Sequence, residues 1–260
     1  MVRIKSRIFE CYNIQIMSRL EFLFLGLFLV CTGAANISGG EKSSANNSLT
    51  VKKCEDFQIT GNGSDIQWIK TQWNPLQKLD VGGAEDKSRF KILWSGTGIY
   101  VFMEGEDQRI STRFNKDFDN LFMGDVFEIF FHPDPKIPLY LEYEINQLNK
   151  ELVLLIPNLN GKALGWTPWH YENGRCVAKK VHIEGGTAAM GGAIKSWSAE
   201  LFFPFGLFDP LGNVPPVSGT IWKANFYRLD YDTGKMIKWA WTPINKSFHE
   251  FEKYGSIRFE

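Results

Sequence analysis

Residues 89–104 read Arg89-Phe-Lys-Ile-Leu-Trp94, Ser95-Gly-Thr-Gly98, Ile99-Tyr-Val-Phe-Met-Glu104. Two six-residue runs of β-branched and aromatic residues flank a four-residue turn containing two glycines, which is the pattern of a β-hairpin. Downstream, Val126–Phe131 (VFEIFF) is stopped by Pro133 and Pro135, and Leu139–Ile145 (LYLEYEI) alternates cleanly. Side chains along a strand point to opposite faces in turn. The second run therefore puts Leu139, Leu141, Tyr143 and Ile145 on one face, and Tyr140, Glu142 and Glu144 on the other. Similar runs follow at 152–156, 177–183, 197–203, 221–229, 237–241 and 256–259. No segment keeps a 3.6-residue apolar period over helical length. Roughly ten strands with turn-rich connections predict an all-β fold, an antiparallel β-sandwich.

Upstream of the hairpin the chain changes character. Leu20–Val30 (LEFLFLGLFLV) is almost wholly apolar, too short to span a bilayer comfortably, and preceded by basic residues. Residues 1–35 read as a signal peptide or lipoprotein leader, with Met17 as the alternative start. Gly33 and Ala35 suit ordinary signal peptidase. Cys31 suits lipidation, and an uncleaved anchor is the third reading. The Ser/Asn/Gly-rich stretch within 36–52 reads as a flexible linker. The expectation is an exported protein: secreted, periplasmic, or an outer-membrane lipoprotein. Residues 53–260 read as one domain, without a second linker or an internal repeat.

Composition narrows the function. The 260 residues carry 29 basic and 29 acidic side chains, so there is no electrostatic case for nucleic acid, and membrane contact rests on a lipid anchor alone. Nine Trp and 21 Phe exceed what a core of this size needs, which predicts surface rings. Four Cys include Cys11 and Cys31 in the leader, leaving Cys54 and Cys176 in the domain. In an oxidising compartment these two are either a disulfide or a pair of free buried thiols. No Cys-x-x-Cys spacing supports zinc.

Several landmarks occur in order: Gly61-x-Gly63 and Trp68; the hairpin ending in Glu106-Asp107; Asp125-Val-Phe-Glu128; Tyr140-Leu-Glu-Tyr-Glu-Ile-Asn146; Trp197-Ser-Ala-Glu200; Trp222-Lys-Ala-Asn225-Phe-Tyr-Arg228; Trp241-Thr-Pro243; and Phe248-His249 ahead of Gly255. Over about residues 56–259 the series resembles the family 9 carbohydrate-binding modules of polysaccharide-degrading bacteria. The resemblance implies a non-catalytic β-sandwich that binds a polysaccharide or oligosaccharide in support of carbohydrate catabolism, with structural calcium.

In the family pattern two tryptophans clamp a sugar, one three residues before the Asp-x-x-Glu strand and one seven before the late glycine. Those positions are Phe122 and Phe248 here. They read either as pocket walls or as core. The strand glutamate is kept as Glu128 and the amide before the second ring as Asn245, whereas an arginine of the pattern aligns with Glu144. That exchange removes a donor fork and adds negative charge. Aromatic faces and fixed polar groups are what sugar recognition requires. By that criterion Trp166 and Trp169, in a Gly/Pro-rich loop, are further candidates, with packing on the sandwich edge as the alternative. Arg228 and His249 complete the set, Arg228 reading equally well as the partner of Asp230. For calcium, Asn115-x-Asp117-x-Asp119 offers oxygens at alternate positions but lacks the glycine and terminal glutamate of an EF-hand loop.

Two other functions stand beside this reading. A glycoside hydrolase acting on O-glycosyl bonds would need a carboxyl pair facing across a cleft. Glu128, Glu142, Glu144 and Glu200 lie on strands, but no Gly-x-Ser-x-Gly or His-x-x-x-His accompanies them. A structural or protein-interaction sandwich whose aromatic sites have decayed is the other alternative.

Overall fold

The computed structural model describes residues 47–82, 86–160 and 162–260. The leader readings, with Met17, Cys31 and the tether up to residue 46, lie outside the described residues. None of the described helices is long and apolar enough to cross a membrane.

Eleven strands of four or more residues build the domain. They are β1 (Ser48–Lys53), β2 (Ser88–Trp94), β3 (Gly98–Glu106), β4 (Val126–His132), β5 (Leu139–Asn146), β6 (Glu151–Leu159), β7 (Ala178–Glu184), β8 (Ser196–Pro204), β9 (Ile221–Asp230), β10 (Ile237–Ala240) and β11 (Gly255–Phe259). One sheet runs β6-β5-β4-β9-β11-β1, with β10 beside the C-terminal half of β9; the other runs β1-β2-β3-β8-β7. β1 belongs to both: Ser48–Val51 pair with β11, and Lys52 and Lys53 pair with β2. Both of these pairings are parallel, and β1 starts at Ser48, inside the stretch read as linker 36–52. The remaining pairings in the two sheets are antiparallel, as expected of a sandwich.

The hairpin forms as its sequence dictates. Ser95 Oγ accepts from the Thr97 and Gly98 amides, and the Ser95 amide donates to Gly98 O. Gly98 is required by close approach, since a Cβ there would lie 2.3 Å from the Phe203 carbonyl oxygen on β8.

The central strands of both sheets are covered on both faces, which explains why those runs are almost continuously apolar, whereas β7 exposes Ala178, Lys180, His182 and Glu184. Between the sheets lie Phe90, Ile92 and Val101 from one side and Phe127, Ile129, Leu141, Tyr143 and Phe226 from the other. Phe90 stacks on Phe226 and Phe127 on Trp197, each at 3.8 Å between centroids. Trp94, Trp197, Trp222, Trp239 and Trp241 are all buried in this layer. The outer face of β2 and β3 is capped by the segment containing Cys54, Ile59 and Trp68. Glu200 fastens that segment: its Oε2 accepts from the Thr60 and Gly61 amides at 2.8 and 2.7 Å, and its Oε1 from the Trp68 indole at 2.7 Å. Glu200 is thus a structural clamp on the sheet opposite the cavity described below.

Cys54 and Cys176 are both free. Cys54 is buried under the aromatic cap, whereas Cys176 is exposed after the turn at Asn173–Arg175, so the bridge alternative falls.

Candidate functional site

Strand alternation decides what the outer face of β4, β5 and β9 presents. The even positions of β4 and β5 and the odd positions of β9 carry Val126, Glu128, Phe130, Tyr140, Tyr227 and Leu229, with Leu152 and Leu154 from β6. Glu142 and Glu144 share that parity. Glu128 sits opposite Glu144, and Phe130 opposite Glu142. Two loops rise over the face. One carries the short helix Leu121–Met123, and the other runs from Thr242 to Tyr254.

Between these loops lies a cavity of about 440 Å³ with Glu128, Glu142, Leu152, Leu154 and Leu229 at its base. Phe118, Phe122, Trp166, Phe248 and His249 surround it, with Asn120, Pro168, Met236, Lys238, Ile244, Lys246 and Ser247 completing the lining. Phe122 is 40% and Trp166 67% exposed, so both offer ring surface to solvent. Phe248 stacks on Tyr227 at 4.0 Å with an 11° interplanar angle, leaving its other side toward the cavity.

The loop carrying Phe248 is tied down from below. The Tyr227 and Tyr254 hydroxyls both donate to the Phe248 carbonyl, at 3.0 and 2.8 Å. Asn225, fully buried, accepts from the Thr242 amide and donates to the Thr242 carbonyl. On the other side the Tyr231 hydroxyl donates to Phe122 O at 2.8 Å. A wall held this way loses little freedom on binding.

The base is electrostatically unusual. Glu142 and Glu144 are buried, and Glu142 Oε2 and both oxygens of Glu144 lack a hydrogen bond. The Glu142 carboxyl and the Phe122 backbone approach Glu144 without completing one. Burial first, then repulsion from Glu142, holds Glu128 well above the usual carboxylate range. Glu144 is raised by burial, then by Glu128 and Glu142, and burial pushes Glu142 up to about 7. His249 Nδ1 lies 2.9 Å from the Tyr140 hydroxyl and 3.8 Å from Glu142, and burial lowers its pKa, favouring the neutral ring.

The structure thus brings Phe122, Phe248, Glu128, Trp166 and His249 to one cavity, with Glu144 directly behind. It does not bring the others there. Asn245 is exposed and engages Glu250 through its backbone. Trp169 turns inward, donating its indole N–H to Leu207 O at 3.1 Å and packing on the core edge. Arg228 lies on the inner face of β9, fully buried. It donates to Ser88 Oγ and Glu106 O on the facing sheet and pairs with Asp230 at 2.6 Å and Asp107 at 3.2 Å. It ties the sheets together and faces away from the cavity. Sequence reasoning placed Glu142 on the correct face without naming it as a binding residue. Leu152, Leu154, Leu229 and Phe118 carried no signal of their own.

In the suggested calcium set, Asp117 is engaged within the protein. Asp117 Oδ1 already accepts from the Glu151 amide and pairs with Lys179 at 2.8 Å. Asp107, Asp125 and Asp232 form a second acidic group, each offering a carboxylate oxygen within 4.8 Å of the others, with Arg228 beside Asp107 and Arg109 3.6 Å from Asp232. Burial raises Asp107 to about 8 against the pull of Arg228, and raises Asp125 to about 7 with help from Asp230. A hard divalent cation bound by oxygens would reverse both shifts. Gln147, whose amide donates to Asp107 Oδ2 at 2.8 Å, leaves its own buried Oε1 without a partner.

No protein-family model and no curated protein sequence matches the chain. Solved structures do. A protein from Bacteroides uniformis ATCC 8492, assigned as carbohydrate-binding, superposes with a TM-score of 0.67 at 19% identity, over 82% of this chain and 99% of that one. A family 9 carbohydrate-binding module from Caldicellulosiruptor kristjanssonii, in complex with glucose, gives 0.59 at 16% identity over 82% and 96%. Its complex with cellotriose gives 0.58 at 14% over 82% and 94%. The fold is that of a family 9 carbohydrate-binding module. Of the landmarks in the sequence, Glu128 lies on the cavity floor and Trp197 and Trp222 lie between the sheets.

Proposed function

We propose that this protein is a non-catalytic carbohydrate-binding module that holds a polysaccharide or oligosaccharide in the cavity over β4 and β5, as part of carbohydrate breakdown outside the cytoplasm. The observation that carries the reading is the cavity itself: Phe122, Trp166 and Phe248 present ring surface around a floor of glutamate carboxyls. Rings match the C–H faces of a pyranose, and the carboxyls accept from its hydroxyls. The C. kristjanssonii modules of the same fold hold glucose and cellotriose, which supports a sugar as ligand. Binding rather than hydrolysis is favoured because Glu128 and Glu142 come from adjacent strands of one floor, whereas hydrolases set two carboxyls on opposite sides of the scissile bond. Export, through the apolar run at Leu20–Val30, and a stabilising calcium at Asp107, Asp125 and Asp232 belong to the same proposal.

The test is a glycan array followed by titration calorimetry on the purified protein. Phe122→Ala should weaken binding by about tenfold or more, since one stacked ring contributes on the order of 1–3 kcal/mol. Phe248→Ala should do the same and also lower the unfolding midpoint, because it removes the stack on Tyr227. Unchanged glycan affinity in both folded variants would refute the site.

A further inference from the structure

We infer that the sugar this pocket accepts is cationic: a hexosamine with a free, protonated amine, as in a β-1,4-linked glucosamine oligosaccharide, whose ammonium group meets Glu128 and Glu142 while Glu144 adds its charge from behind. The inference rests on the carbohydrate-binding reading and specifies the chemistry of the ligand.

Three carboxyls converge on this outer face, and no described Lys or Arg forms an ion pair with them. Arg228 is on the opposite face of the sheet, committed to Asp107 and Asp230. Lys238, at the rim, pairs with Asp80 at 3.3 Å. Lys246 is exposed at the mouth. His249 stands beside Glu142, but burial favours its neutral form. Charged groups at this depth are costly unless paired. The free protein meets the cost by keeping protons on these carboxyls, which is the direction in which all three are shifted.

A neutral sugar hydroxyl can satisfy one oxygen of the protonated carboxyls, whereas a nearby cation favours their ionised form. An ammonium supplies charge and donors together, and charge-assisted hydrogen bonds are the stronger kind. The walls suit it as well. The faces of Phe122, Trp166 and Phe248 carry the negative side of the ring quadrupole, which attracts a cation as readily as it packs against C–H groups.

Three tetrasaccharides with the same linkage separate the outcomes: the glucosamine tetramer, its N-acetylated counterpart, and cellotetraose, each titrated into the purified protein near neutral pH. The glucosamine tetramer should bind roughly tenfold or more tightly than the other two. That preference should fall at least about fivefold in Glu128→Gln and in Glu142→Gln, which keep the shape and remove the charge. Glu144→Gln, behind the floor, gives a third readout if either of the first two variants is poorly folded. Cellotetraose or the acetylated tetramer binding as well as the amine would overturn the inference and leave the carbohydrate reading intact. Binding of none of the three, nor of any other glycan, would remove both. A preference for the amine that survives all three Gln variants would place the cation elsewhere and overturn the inference.

Discussion

Replacing Glu142 by Gln should make the protein more stable at alkaline pH and leave it nearly unchanged at mildly acidic pH. Burial moves this carboxyl from 4.5 to about 7. For a group whose folded value is raised, the native state binds the proton more tightly than the unfolded chain does. Its stability is therefore fully present below the unfolded value and is lost as pH rises through the folded one. At about 1.4 kcal/mol per unit, ionising Glu142 in the folded protein costs about 3 kcal/mol once pH exceeds about 7. Glu128 and Glu144 are shifted in the same direction, so the three titrate as a cluster and share that cost. Urea unfolding of wild type and Glu142→Gln, measured from about pH 4 to about pH 8.5, should give curves that coincide at the acid end and diverge with rising pH. Asp107 and Asp125 titrate in the same window, so each series is run in chelator and again with calcium, which would pin those two carboxylates at the proposed site. Parallel curves across the whole range would refute the reasoning, since they would mean that Glu142 titrates alike in the folded and unfolded states.

Glu200→Ala should lower stability by about 3 kcal/mol or more, because it strands the Thr60 and Gly61 amides and the Trp68 indole together; a loss under about 1 kcal/mol in urea would count against the clamp. In a thiol-reagent assay Cys176 should react in the native protein and Cys54 only after unfolding, since burial pushes the Cys54 thiol up to about 12; failure to titrate both in unreduced, denatured protein would restore the disulfide. Calcium should raise the unfolding midpoint of wild type and leave that of Asp125→Asn less affected; identical midpoints with and without calcium in wild type would rule out the Asp107, Asp125 and Asp232 site.

The sandwich was legible in the sequence because its determinants are local. Alternation in Leu139–Ile145 states which side chains share a face, and the structure buries Leu141, Tyr143 and Ile145 between the sheets while turning Glu142 and Glu144 outward. Phe122 and Phe248 were placed by the family 9 resemblance, and both line the cavity. What failed depended on packing across the fold. Arg228 and Tyr227 are neighbours on β9, yet one faces the opposite sheet and the other the cavity loops, and only pairing register decides which. Trp169 and Trp166 are three residues apart in one loop, but Leu207 captures the first and nothing captures the second. The Asp107, Asp125 and Asp232 group joins the ends of β3 and β9 to the start of β4, a convergence no linear motif encodes.

The outer face of β4 and β5 departs from the rest of the domain in a way that stability alone does not explain. On the inner face the same two strands place Phe127, Ile129, Phe131, Leu141, Tyr143 and Ile145, an apolar set with its one hydroxyl bonded to Glu151. On the outer face, within a surround of Val126, Phe130, Leu152 and Leu154, stand three glutamates with three unpartnered buried oxygens. Leucine at those positions would extend the apolar cluster and remove the ionisation cost above neutral pH. Buried polar groups that break the local pattern without a structural partner concentrate where a protein meets its ligand. Elsewhere in this domain buried charges are answered: Arg228 by Asp107 and Asp230, and Glu200 by three backbone amides and an indole. At the cavity floor three carboxylate oxygens are left open together, and there the walls are rings held from below by Tyr227, Tyr231 and Tyr254. The missing partner of these carboxyls is therefore sought in the ligand, and the Gln variants measure how much of the binding it supplies.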